Sequence, residues 1–141
     1  MRSSILRVED AEADVWLVRE VLNQCGLAFE LAVLDDGEKA IDFINRTDCD
    51  PSVQTPDLVL LDLNLPKWSG WQVLDHLRRS SRLANLPVVI LTSSDAPNDK
   101  ASAVEFKATA YFRKASNLDD FMKLGPLVRK LLQAPGEERR L

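Results

Sequence analysis

The 141-residue chain is poor in the residues that define several large classes of protein. It has two cysteines, Cys25 and Cys49, without a metal-like spacing, so free thiols in a reducing compartment are expected. It has one histidine, His76, on the polar flank of a predicted helix, expected to be solvated and neither metal ligand nor phosphodonor. No apolar run approaches the roughly 20 residues that span a bilayer, and the opening "MRSSILRVED" lacks a secretory core. A cytoplasmic protein without a membrane partner is expected. The net charge is −4 and no basic stripe stands out, which argues against nucleic acid as a partner. What the chain does have is 45% hydrophobic and 28% charged residues, and a length that suits one domain with a substantial core.

Short apolar runs alternate with stretches of helical period. "SILRV" (4–8), "FELAVL" (29–34), the run inside "PDLVLLDLNLP" (56–66), "PVVILT" (87–92) and "ATAYF" (108–112) read as strands. Between and after them lie predicted helices over 12–25, 38–46, 70–80, 95–106 and 118–132. Gly26 is placed to end the first helix, Pro97 lies near the start of the fourth, and Asn117 can cap the fifth. Residues 47–56, polar with two prolines, read as a long loop. The expectation is a (βα)₅ unit over 1–132, with a polar tail over 133–141. Strands three and four are apolar nearly throughout, as in a parallel sheet covered by helices on both faces. Such doubly wound sheets place their sites at the carboxyl ends of the strands.

Those ends carry chemistry. Glu9 and Asp10 follow strand one, Asp62 follows strand three, Thr92 closes strand four, and Lys114 follows strand five. Any one of these could be an ordinary loop residue, but together they form a set. Three carboxylates at one edge repel each other, and a hard divalent cation relieves that repulsion. Mg²⁺ suits the set because it binds through a few carboxylates and keeps waters for a phosphate. A carboxylate such as Asp62 can attack phosphorus to form an acyl phosphate, and Lys114 and Thr92 could then meet the phosphoryl oxygens.

The motifs "ED" after strand one, "LVLLDLNLP", "VVILTSS" and "AYFRK" resemble the receiver domain of two-component response regulators. The likeness spans about residues 4–132, with 30 residues from Asp62 to Thr92 and 22 more to Lys114. It implies a flavodoxin-like α/β fold and a response regulator that is not itself an enzyme beyond its own phosphorylation and dephosphorylation. Asp62 would be the phosphoacceptor, with Mg²⁺ held by Glu9, Asp10, Asp62 and the backbone carbonyl of Asn64. Thr92 and Lys114 would bind the phosphoryl group, and Thr92 and Tyr111 would switch. A sensor histidine kinase would be the partner. The pattern "NLPKWSGWQVL" with "KASNLDDF", and no output domain, looks like the stand-alone regulators of bacterial phytochromes.

Several positions depart from the family pattern. Ala115 stands where most receivers have a proline after the lysine, leaving open whether the Lys114–Ala115 bond is cis. Ser69 replaces a common aspartate, and Lys107 replaces a glycine, so the turn before strand five is expected to differ. Arg7 lies in a strand expected to be buried, so either its stem snorkels to an edge or strand one is more exposed. In the last helix, Leu118, Phe121, Met122, Val128 and Leu132 share a face expected on the sheet. Leu124, Leu127 and Leu131 form a second stripe, which either buries at a kink near Gly125-Pro126 or forms a homodimer surface with helix four. The dimer is the reading preferred. Trp16, Trp68 and Trp71 fall off the core stripes, as partial cover for loops or as contacts for a kinase. Two other functions stay open. One is an inactive receiver that binds its partner unphosphorylated. The other is an aspartate-based phosphatase, although such enzymes place an acid where this chain has Asn64.

Overall fold

The computed structural model describes residues 2–94, 96–114 and 117–133. The elements are β1 (Ser3–Val8), α1 (Glu12–Gln24), β2 (Phe29–Leu34), α2 (Gly37–Cys49), β3 (Leu58–Leu61), α3 (Gly70–Arg79), β4 (Val88–Thr92), α4 (Pro97–Glu105), β5 (Ala110–Arg113), α5 (Leu118–Phe121) and α6 (Leu124–Gln133). The five strands form one sheet in the order β2-β1-β3-β4-β5, every pair parallel. The order reverses beside β1, and a doubly wound sheet opens its crevice at such a point.

Pleating divides each strand between two cores. Leu6, Val8, Val59, Leu61, Val88 and Ile90 pack under α2, α3 and α4, with Ile44, Leu74 and Leu77. Ile5, Leu58, Leu60, Val89 and Leu91 pack under α1 and α6, with Val18, Leu22, Leu124 and Val128. All four residues of β3 and all five of β4 are buried, as a strand covered on both faces requires. Among the described residues no helix is long and apolar enough to cross a membrane.

Five expectations change. The predicted helix over 118–132 is two helices, α5 and α6, interrupted at Met122 and Lys123. Proline lacks an N–H and its ring clashes with the carbonyl four residues back, so Pro126 is accommodated only in a first turn, and the helix restarts at Leu124. The leucine stripe is also not free: Leu124 is fully buried, Leu131 is buried and Leu127 packs against the same core. It cannot serve as a dimer surface. Leu118, expected on the sheet, is instead 55% exposed.

α2 runs to Cys49, three residues beyond its predicted end, because Arg82 supplies a cap from far along the chain. Its guanidinium donates to the carbonyls of Thr47 at 2.7 Å and Asp50 at 2.9 Å. The turn before β5 does not differ from a glycine turn. Lys107 adopts φ 64, and Gly26 at the end of α1 adopts φ 77. Both turns close with the same two bonds, Lys107 N–H to Val104 and Ala108 N–H to Ala103 in one, Gly26 N–H to Asn23 and Leu27 N–H to Leu22 in the other. Ala108 is thereby drawn back toward α4, and β5 begins at Ala110.

Gln133 closes α6, while 134–141, most of the expected tail, lie outside the described residues. So do Asp95, at the expected start of helix four, and Ala115, on which the question of a cis bond turns.

Candidate functional site

β1, β3 and β5 each release a charged residue at the same edge of the sheet. Glu9 follows Val8 and is 2% exposed, and Asp62 follows Leu61 and is 6% exposed. Lys114 follows Arg113, its N–H bonded to the Thr92 carbonyl at 2.6 Å, so it is carried out beside the end of β4. Thr92 itself is fully buried, and its Oγ1 accepts the N–H of Ser94 at 3.2 Å.

The Lys114 ammonium ties the set together. It donates to Glu9 Oε1 at 2.8 Å, Asp14 Oδ2 at 2.8 Å and Asp62 Oδ2 at 3.2 Å, one acceptor for each proton. The other Asp62 oxygen, Oδ1, accepts the Asn64 N–H at 3.2 Å. Carboxylate oxygens of Glu9, Asp10 and Asp62 lie within 4.8 Å of one another. Asp10 is exposed, so this group opens to solvent on one side.

Two residues of the site escaped sequence reasoning. Asp14, in the first turn of α1, is one. Its position one turn after Asp10 offered a signal, since both follow the same strand end. The other is Arg7, which neither snorkels nor marks an exposed strand: it is fully buried. Its Nη2 donates to Glu9 Oε1 at 2.5 Å, and its Nη1 to the carbonyls of Val8 and Leu60 at 3.1 Å each. The alternation of β1 was the missed signal, since Arg7 and Glu9, two residues apart, leave the same side of the strand.

The electrostatics follow from this geometry. Burial, together with the neighbouring Asp62 carboxyl, pushes Glu9 up to about 7, against the pull of Lys114 and Arg7. Burial also acts to raise Asp14, but the hydrogen bond and charge of Lys114, together with Glu9 and the Arg7 charge, outweigh it and hold Asp14 below its usual value. Burial acts to lower Lys114, and its bonds to Asp14 and Glu9 carry it above the ordinary lysine value. With every carboxyl ionised, four carboxylates stand against two cations, an excess of two negative charges. All the donors are hard oxygens, a set that suits a small divalent cation.

The loop leaving Asp62 is held by its own hydrogen bonds. Lys67 has φ 71, and Trp68 N–H bonds back to the Pro66 carbonyl at 2.8 Å, which closes a γ-turn. The same carbonyl accepts Gly37 N–H at 3.1 Å. Gly70 then opens α3 against the Asp62 carbonyl, where the chain approaches too closely for a side chain. Ser69 caps α3, in a reciprocal pair with Gln72.

Tyr111 leaves β5 on the opposite face, toward α4, and its hydroxyl donates to the Ser94 carbonyl at 2.5 Å. Of the three tryptophans, Trp71 stacks on Phe106 at 5.7 Å, Trp68 is 38% exposed and Trp16 is 62% exposed. His76 is not left to solvent: it is half-buried, with Nε2 2.8 Å from Asn45 Oδ1.

The chain is similar to known proteins. The family model described as "Response regulator receiver domain" matches residues 5–124. Response regulator Rcp1 of Synechocystis sp. is 39% identical over 120 residues, covering 85% of this chain and 82% of Rcp1. The crystal structure of the phosphorylated cyanobacterial phytochrome response regulator RcpA superposes with TM-score 0.83 at 28% identity, covering 95% of this chain and 96% of RcpA. The Mn²⁺-bound form of Rcp1 superposes with TM-score 0.82 at 36% identity, covering 94% of this chain and 96% of the other. With its sheet order, its acidic edge and these likenesses, the chain belongs to the response regulator receiver domain family.

Proposed function

We propose that the chain is a phosphorylation-driven signalling module in which Asp62 accepts a phosphoryl group from the phosphohistidine of a partner histidine kinase. The observation that carries this reading is the seat of Asp62. It is nearly buried at the end of β3, with Lys114 on one oxygen and the Asn64 N–H on the other, beside Glu9 and Asp10. Glu9, Asp10, Asp62 and the Asn64 carbonyl are the groups that would hold Mg²⁺, which when bound neutralises the charge on the transferring oxygens. The Mn²⁺-bound form of Rcp1 supports a divalent cation here by likeness.

In the transfer, an Asp62 oxygen forms the new bond to phosphorus and the donor leaves with the electron pair of the broken bond. Lys114 turns from the carboxylates to a phosphoryl oxygen, and the Thr92 hydroxyl does the same, giving up its bond to Ser94 N–H. Ser94 also holds Tyr111, so release at Thr92 reaches the β5–α4 face, which is the surface proposed to switch. The chain is then a phosphoacceptor that acts only on its own phosphorylation.

RcpA is by name a phytochrome response regulator, which makes a bacterial phytochrome the kinase proposed, in the cytoplasm. Homodimerisation through α4 and the C-terminal helices has lost its leucine stripe and now rests on Val104, 66% exposed on α4. Incubation with acetyl phosphate and Mg²⁺ tests the central reading. Intact mass should rise by one phosphoryl group in the wild type and not in Asp62→Asn. A wild type that takes up no phosphate rejects the reading in favour of an inactive receiver.

A further inference from the structure

The ordinary demands of β1 do not account for Arg7. Ile5, two residues earlier on the same side of the strand, shows that an aliphatic side chain fills this layer. Arg7 puts a guanidinium there with no exposure, and its Nε has no hydrogen-bond partner among the described residues. Burying a cation with one donor unmet is costly, so the charge has to serve something. Among the described residues its ion pair is with Glu9, and both cations of the site converge there. Arg7 Nη2 and Lys114 Nζ donate to the same oxygen, Oε1, at 2.5 and 2.8 Å. Glu9 Oε2 accepts the Ala11 N–H, at 3.3 Å.

Lys114 has three carboxylates to satisfy and three protons to give. If it is to reach a phosphoryl group on Asp62, it must loosen from Glu9. A divalent cation held there would share its two charges among Glu9, Asp10 and Asp62, so without Arg7 that movement would leave the buried Glu9 carboxylate short of positive charge. We infer that Arg7 is a positioning residue that keeps Glu9 neutralised when Lys114 turns to the incoming phosphoryl group. It thereby sets the rate of phosphoryl transfer and is not required for cation binding. This rests on the reading of Asp62 as phosphoacceptor. With acetyl phosphate as donor, an Asp62 carboxylate oxygen bonds to phosphorus, the bond from phosphorus to the acetyl oxygen breaks, and acetate leaves with that electron pair. No net proton is exchanged.

The test compares the wild type, Arg7→Met and Arg7→Lys. Mg²⁺ affinity is read by tryptophan fluorescence, and the rate of phosphate uptake from acetyl phosphate is read at saturating Mg²⁺. Arg7→Met is expected to keep or tighten its Mg²⁺ affinity while its saturated rate falls about tenfold, the weight of one charge-assisted hydrogen bond. Arg7→Lys, which keeps the charge, is expected to recover most of that rate. A merely structural role would lower the melting temperature and leave the saturated rate per folded molecule unchanged, and that result overturns the inference.

Should Arg7→Met fail to fold, the pair Glu9→Gln and Glu9→Gln with Arg7→Met decides, because a neutral amide has no charge for Arg7 to balance. The two are expected to phosphorylate within about twofold of each other, and a full tenfold difference between them overturns the inference. A wild type that takes no phosphate rejects the phosphoacceptor reading. A labelled wild type with an unaltered Arg7→Met rejects only the role of Arg7.

Discussion

Replacing Gly70 by alanine separates two physical effects of opposite sign. Gly70 is the first residue of α3, and helix propensity alone favours alanine there, by up to about 1 kcal/mol. The site predicts the reverse. A Cβ built on Gly70 falls 2.3 Å from the Asp62 carbonyl oxygen and 2.7 Å from Leu63 Cα. Unstrained contacts lie at roughly 3.5–4 Å, so main chain would have to retreat by on the order of 1 Å. Neither atom belongs to a side chain that could rotate away, and Gly70 N–H is bonded to the Leu63 carbonyl at 3.0 Å, which ties the two segments together. Overpacking of this kind costs about 1–3 kcal/mol, more than the propensity gain. Gly70→Ala should therefore melt lower by roughly 3–8 °C, followed by circular dichroism. It should also take phosphate from acetyl phosphate more slowly, because the displaced segment carries Asp62. A melting temperature equal to or above that of the wild type would refute the close-approach argument.

Two further outcomes follow from the charges and the backbone. Because Glu9 is pushed up to about 7, protons compete with a divalent cation for it. Below that pH the carboxyl must give up its proton on binding, so Mg²⁺ affinity should fall toward about tenfold per pH unit, and level off above pH 8. Fluorescence titrations from pH 5.5 to 8.5 check this, and a flat profile contradicts it. Lys107 holds a left-handed φ of 64, which costs a residue with a Cβ about 1 kcal/mol and costs glycine almost nothing. The Lys107 carbonyl, held by Arg78 Nε and Nη2 at 3.0 and 2.8 Å, keeps the turn in place, so Lys107→Gly should melt a few degrees higher.

How far the sequence could be read depended on how local the cause was. β3 and β4 were legible because burial on both faces leaves an unbroken apolar run, and Asp62 and Thr92 were legible as the points where those runs meet polar residues. Glu9, Asp10 and Lys114 followed once five strands were aligned to one edge. The rest depends on partners distant in the chain. Asp14 matters only because β5 brings Lys114 to it, 100 residues away. The end of α2 is set by Arg82, 35 residues beyond Thr47. Arg7 is the exception: its partner Glu9 lies two residues on, and only reading β1 as a uniform apolar layer hides the pair. The sequence places the kink at Gly125-Pro126, whereas the break falls at Met122 and Lys123, because the proline acts on the carbonyl one turn earlier.

Locating the phosphate within the chain tests the central claim most directly. Borohydride reduces an acyl phosphate of aspartate to homoserine, and peptide sequencing by mass spectrometry after reaction with acetyl phosphate and Mg²⁺ identifies the position. Conversion at Asp62, dependent on the divalent cation and lost in Lys114→Ala more than in Trp16→Ala, is the result predicted. Conversion at Asp10 or Asp14 with Asp62 untouched would contradict it.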